Sequence, residues 1–138
     1  MRPDRPHILG FVCWVLIIGN MADIYKTMKL MGSDLFPLSL EGFPYPPLYA
    51  EIILFGTMAV FIIVGILMYE GQGWARYIYI ANMIPYVMHH YLSASHDKAG
   101  HFRMLILEAK IVFFLFSIVV VFLPQVRRYF CPPMFIDE

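Results

Sequence analysis

The sequence predicts an all-α integral membrane protein: a four-helix bundle of antiparallel spans with both termini on the cytoplasmic side. Three observations carry that expectation. Hydrophobic residues make up 60% of the 138 positions and charged residues 14%, against about 45–50% and about 25% in an ordinary soluble domain. The apolar residues fall in four runs, roughly 8–28, 48–69, 74–92 and 102–123, near the roughly 20 residues that cross a hydrocarbon core of about 30 Å. These runs are continuous rather than alternating, which argues against a transmembrane β-barrel.

The first span is the shortest in strictly apolar residues, from Ile8 to Ile18, and reaches full length by carrying Asn20, Asp23 and Lys26 toward the outer interface. Arg2 and Arg5 ahead of an apolar run raise the question of a signal peptide. Asn20-Met21-Ala22-Asp23-Ile24-Tyr25 lacks a small-x-small cleavage pattern, so the segment is expected to remain as a span. The second span closes at Glu70-Gly71-Gln72-Gly73, a tight turn that makes the second and third helices antiparallel neighbours.

Within the third span, Pro85 is expected to kink the helix and free the carbonyl of Ala81. Tyr79, Asn82, Tyr86, His89 and Ser93 recur at three- and four-residue steps, which turns His89 rather than His90 inward. On the fourth span Glu108 and Lys110 lie roughly 200° apart around the helix. Both cannot face the interior, and Lys110 is expected to snorkel outward unless one of the two faces a partner. The outer loops are 29–47 and 93–101. The longer holds Pro37, Pro44, Pro46 and Pro47 with Phe36, Phe43 and Tyr45, an aromatic belt segment that proline keeps out of helix, or else a binding loop. No stretch reads as a separate soluble domain, so residues 1–138 form one unit.

With an even number of spans the termini share a side, and that side collects Arg2, Arg5, Arg76, Arg127 and Arg128; the other receives Lys26, Lys29, Lys98, Arg103 and Lys110. The counts balance. The first set flanks the spans openly while several of the second lie within helix ends, which places the termini in the cytoplasm. Trp74, Arg76 and Tyr77 suit a headgroup-level anchor, as do Arg127 and Arg128 after the fourth span. Cys13 in the first span and Cys131 in the tail are expected to be free thiols. A net charge of zero offers no field for nucleic acid.

Depth supplies the candidate site. Asp23 falls about 24 Å above the start of the first helix, His89 about 22 Å above Trp74, and Glu108 about 22 Å above Leu123. Glu51 lies less than two turns below the outer end of the second helix. With Asn82 and Lys110 these residues form a candidate polar layer for a ligand or a partner. A carboxylate in hydrocarbon costs several kcal/mol, so such groups often mark a functional pathway. Because the layer is near the outer boundary, the simpler account is that these groups are hydrated or paired with Lys26 and fix helix register.

His89, His96 and His101 are the residues a metal site would use. Zinc wants three or four converging ligands, and the adjacent pair His89-His90 diverges by about 100° on a helix, so no metal centre is expected. No hydrolase elbow, P-loop, dinucleotide fingerprint or Cys-x-x-Cys pair is present. No catalytic residue and no cofactor are assigned.

Gly73-Trp74-Ala75-Arg76-Tyr77-Ile78-Tyr79, Leu123-Pro124 followed by Arg127-Arg128-Tyr129-Phe130, and the segment from Ala22-Asp23-Ile24 to Gly32 resemble the small four-span inner-membrane proteins of the enterobacterial YbjO type. The family tends to carry basic residues in the turn before the Trp, where this chain has Gln72-Gly73. The resemblance implies a bacterial inner membrane and four helices, with no activity to inherit. The function expected is a non-enzymatic bundle that binds a membrane-protein partner, of the accessory, regulatory or toxin-immunity type. A bundle that binds a quinone, lipid or metal ion through the polar layer is the alternative. A homo-oligomeric conducting assembly ranks last, because the inner halves of the spans hold few pore-lining polar residues.

Overall fold

The computed structural model describes residues 4–31, 47–95 and 100–130. Five helices account for nearly all of them: α1 (His7–Met31), α2 (Pro47–Tyr69), α3 (Ala75–Ser95), α4 (Gly100–Phe122) and α5 (Pro124–Phe130). Among the described residues there is no strand. Three segments among the described residues are long and apolar enough to cross a membrane, His7–Lys29, Leu48–Tyr69 and Met104–Phe122. The third expected span forms a helix of 21 residues, but its polar stripe leaves it short of the apolar density of the other three. Of the long loop expected over 29–47, the ends belong to α1 and α2, and residues 32–46, like His96 and Cys131, fall outside the described residues.

The ends of the helices follow from local chemistry. Gly71 takes a φ of 86°, the left-handed geometry that glycine adopts without a Cβ clash. That geometry lets Gly71 N–H donate to the Met68 carbonyl at 3.1 Å and Gln72 N–H to the Leu67 carbonyl at 2.9 Å, so two terminal carbonyls of α2 are satisfied within the turn. The Tyr69 carbonyl accepts from the Tyr129 hydroxyl at 2.9 Å. At the end of α4 a bend at Leu123 precedes Pro124, whose missing N–H and ring clash stop the helix while its fixed φ starts the next one. The resulting short helix α5 goes beyond the interfacial tail that the sequence suggested. It buries Val126, Tyr129 and Phe130 and leaves Arg127 and Arg128 exposed. Helix α3 continues through Pro85, which sits on its exposed side.

The long helices pack α1 on α2, α2 on α3 and α3 on α4, whereas α1 and α4 meet at few positions. At the centre Phe61 stacks on Phe114 at 5.5 Å and meets Tyr86 and Tyr79 edge-on at 5.0 and 5.7 Å. Rings fill this space because their edge-to-face geometry adds favourable quadrupole contact to dispersion, and close packing drives helix association where lipid removes any hydrophobic advantage. Between α1 and α2 the approach is close at Gly65, where a Cβ would lie 3.0 Å from Ile17 Cγ1 and 3.4 Å from the Cys13 carbonyl. Cys13 itself is a buried free thiol. Gly56, on the same helix, faces open space.

Gly65→Leu should therefore destabilise the fold by about 1–3 kcal/mol through overpacking. Gly56→Leu should change stability by less than about 0.5 kcal/mol. Thermal unfolding in micelles, followed by circular dichroism, separates the two.

Candidate functional site: an interhelical ion pair

Helix α3 carries three polar side chains that between them bond to all three other long helices. The Tyr79 hydroxyl is hydrogen-bonded to the Ser117 hydroxyl of α4. Since Ser117 Oγ already donates to the Phe114 carbonyl at 2.7 Å, its one proton is used, and Tyr79 is the donor between the two. One turn along, Asn82 Nδ2 donates to the Thr57 carbonyl of α2 at 2.9 Å. Another turn brings Tyr86, whose hydroxyl accepts from Lys110 Nζ at 2.9 Å and donates to Asp23 Oδ2 at 3.5 Å.

Lys110 Nζ closes the triangle, at 3.0 Å from Asp23 Oδ2. A carboxylate of α1, a phenol of α3 and an ammonium of α4 thus meet at one point. The level is the same on both charged helices. Asp23 lies six residues inside the Lys29 end of its apolar segment and Lys110 six inside the Met104 end of its own, about 9 Å in each case. Their side chains are 23% and 28% exposed, so the pair is half-sheltered rather than sealed, which keeps the desolvation cost below that of a fully buried pair. Ring contact adds to the site: Lys110 Nζ lies 5.4 Å from the Tyr86 ring centroid, and the His90 ring meets Tyr86 edge-on at 4.4 Å.

The six polar-layer residues separate. Asp23 and Lys110 join, and Asn82 bonds to α2 instead. His89 is buried at 4% exposure on the stripe side of α3. Glu51 is half-buried in the second turn of α2, and no hydrogen bond or ion pair links it to Asp23 or Lys110 among the described residues. Glu108 is exposed. The expected orientation of α4 is therefore corrected: Lys110 turns inward and Glu108 outward, because Asp23, 87 positions away in sequence, gives the ammonium a counter-charge inside. Among the described residues no group of three or more His, Cys, Asp or Glu could hold a metal ion. His101 lies in the first turn of α4.

The expected anchors also divide. Trp74 and Tyr77 are exposed, as are Arg127 and Arg128. Arg76 does not flank its helix openly: it is buried, with its guanidinium carbon 5.0 Å from the Tyr77 ring, 5.3 Å from Phe122 and 5.5 Å from Phe130. Sequence reasoning named Tyr79 and Tyr86 as part of a stripe and Asn20 among the polar groups of the first span without giving them partners, and it missed Thr57 and Ser117. Single hydroxyl or amide groups within apolar runs were the available signal, since such groups in a membrane helix usually bond across or back along the backbone. Asn20 does the latter, donating to the Leu16 carbonyl at 2.8 Å.

Comparison with protein-family models, with curated proteins and with solved structures finds no match. The chemistry of the cluster therefore rests on its own geometry. A carboxylate, an ammonium and a phenol in mutual contact can hold helices in register, exchange protons, or hydrogen-bond a polar ligand.

Asp23→Asn and Lys110→Met should each destabilise the fold by about 1–3 kcal/mol, because each strands the opposite charge in a half-sheltered position. The double variant should lose less than the sum of the two, and a double-mutant cycle from unfolding in mixed micelles measures that coupling.

Proposed function

We propose that this chain is a non-enzymatic, multi-pass protein of a bacterial inner membrane that binds a membrane-protein partner, as an accessory, regulatory or toxin-immunity component. The proposal includes α3 as a fourth, antiparallel span. Its support is an inside-out distribution: the polar groups of α3 bond to α1, α2 and α4, while Tyr77, Ile78, Ile84, Met88 and Tyr91 are exposed. A helix with its polar stripe satisfied by neighbours and its apolar side outward suits a lipid surround despite modest overall hydropathy.

One observation carries the partner reading. Lys110 is neutralised from within by Asp23, whereas Glu108 stands on the outer surface of an apolar segment among the exposed side chains of Leu105, Ile106 and Val112. It lies four residues inside the Met104 end of that segment, about 6 Å. A carboxylate at that depth favours a partner helix that brings a cation or a hydrogen-bond donor opposite it. The occupant proposed is a transmembrane segment with Lys, Arg or a polar amide at the matching level.

A second reading, a site for an ion, a quinone or another small polar ligand, draws on the interior cluster. Lys110 uses two ammonium protons on Asp23 and Tyr86, and His90 Nε2, beside the Tyr86 ring, is buried without a hydrogen-bond partner.

Affinity purification from native membranes should show Glu108→Leu losing a stoichiometric partner while helicity is unchanged, and Tyr86→Phe retaining it. Retention by Glu108→Leu, together with loss of a bound small molecule by Tyr86→Phe, would transfer the function to the interior cluster.

A further inference from the structure

At the opposite end of the molecule from the ion pair, four arginines gather around α5. Arg127 and Arg128 are exposed on that helix. Phe130, one turn further, packs its ring 5.5 Å from the guanidinium carbon of Arg76, and its Cβ and carbonyl approach Gly73 in the α2–α3 turn so closely that a Cβ there would lie 3.4 and 3.6 Å away. Tyr129 bonds the end of α2 through the Tyr69 carbonyl. The Tyr69 ring in turn stacks under Arg5, with the guanidinium carbon 3.3 Å from the ring centroid. Contacts thus join the start of α1, the end of α2, the start of α3 and α5 into one surface.

Basic residues outnumber acidic ones on this surface: against the four arginines stand Asp4, beside Arg5, and Glu70, in the α2–α3 turn. Among the described residues Arg5, Arg76, Arg127 and Arg128 form no salt bridge. Arg76 is only 7% exposed, and its Nε and Nη1 groups have no hydrogen-bond partner; its Nη2 group reaches the Tyr77 hydroxyl at 3.4 Å. Nε of Arg5 is also buried without a partner. Aromatic faces attract a guanidinium through their quadrupole but carry no net charge, so the cage of Tyr77, Phe122 and Phe130 holds the Arg76 cation in place and leaves its charge uncompensated. Arg127 and Arg128 add to the same field, and Trp74 and Tyr77 stand exposed beside it, as aromatic side chains do at the headgroup level.

We propose that this end of the protein is a binding site for the phosphate of an anionic phospholipid headgroup. Arg127 and Arg128 contact the phosphate oxygens, Arg76 supplies a fixed positive charge beneath them, and Trp74 and Tyr77 lie against the glycerol and upper acyl region. Guanidinium suits the task because its planar donors match phosphate oxygens in pairs. The inference rests on the membrane reading above and concerns a surface separate from Glu108.

Native mass spectrometry of the full chain in micelles with equal phosphatidylglycerol and phosphatidylcholine tests it. The wild type should retain phosphatidylglycerol selectively. Each of Arg76→Gln, Arg127→Gln and Arg128→Gln should reduce that retention about fivefold, the effect of roughly 1 kcal/mol per basic residue near an anionic surface. Arg127→Lys/Arg128→Lys should keep only the share that charge alone supplies and lose the paired guanidinium contacts, and circular dichroism verifies that every variant is folded. Unchanged selectivity in a folded Arg76→Gln/Arg127→Gln/Arg128→Gln variant overturns the proposal. Displacement of the lipid by millimolar inorganic phosphate would do the same, assigning the site to the free anion. Flotation with phosphatidylcholine vesicles, with and without added phosphatidylglycerol, keeps the two readings apart: a wild-type chain that floats equally with both refutes the lipid site alone, and one that floats with neither refutes the membrane reading.

Discussion

The contact between Asp23, Lys110 and Tyr86 is the constraint on which the helix arrangement depends most. Packing runs in chain order from α1 to α4, and the first and last of these helices meet at few positions. An ion pair 3.0 Å long, between residues 87 positions apart, fastens that seam. Apolar packing against neighbours and packing against lipid differ little in energy, so a few polar bonds decide which helix faces which. Removing either charge strands the other, and the seam then has little else to hold it.

Helix α3 distributes these bonds. Tyr79 bonds to α4, Asn82 to α2, and Tyr86 to both α4 and α1. The same residues enclose the aromatic centre, since Tyr79 and Tyr86 each place a ring against Phe61 and Phe114. One side of one helix thus provides both the polar ladder and a share of the core. That double role explains why α3 is the least apolar of the long helices and yet is well packed. At the other end α5 does a related job with different chemistry, its buried aromatic residues capping α2 and caging Arg76 while its own arginines stay outside.

Much of this was legible in the sequence where a pattern is local. The helices fall within a few residues of the apolar runs, the Gly71 turn lies where Glu70-Gly71-Gln72-Gly73 placed it, and the stripe of Tyr79, Asn82, Tyr86 and His89 faces inward, as its spacing implied. The site was less legible. Equal depth grouped Asp23, Glu51, His89 and Glu108, but depth fixes only one of the three coordinates a contact needs. Azimuth around each helix separated Glu51 and Glu108 from the cluster and brought Lys110 into it.

By itself the sequence determined a helical, apolar chain with a membrane's hydrocarbon as its natural surround, the turn after α2, and the polar side of α3. Those features depend on composition and on periods of three to four residues, which act along the chain. Only the tertiary structure decided that Lys110 faces Asp23, that Glu108 is left outside, and that Arg76 is enclosed by Phe122 and Phe130. Each of these depends on which helix stands beside which, and the apolar surfaces of helices are too alike for sequence periodicity to specify that.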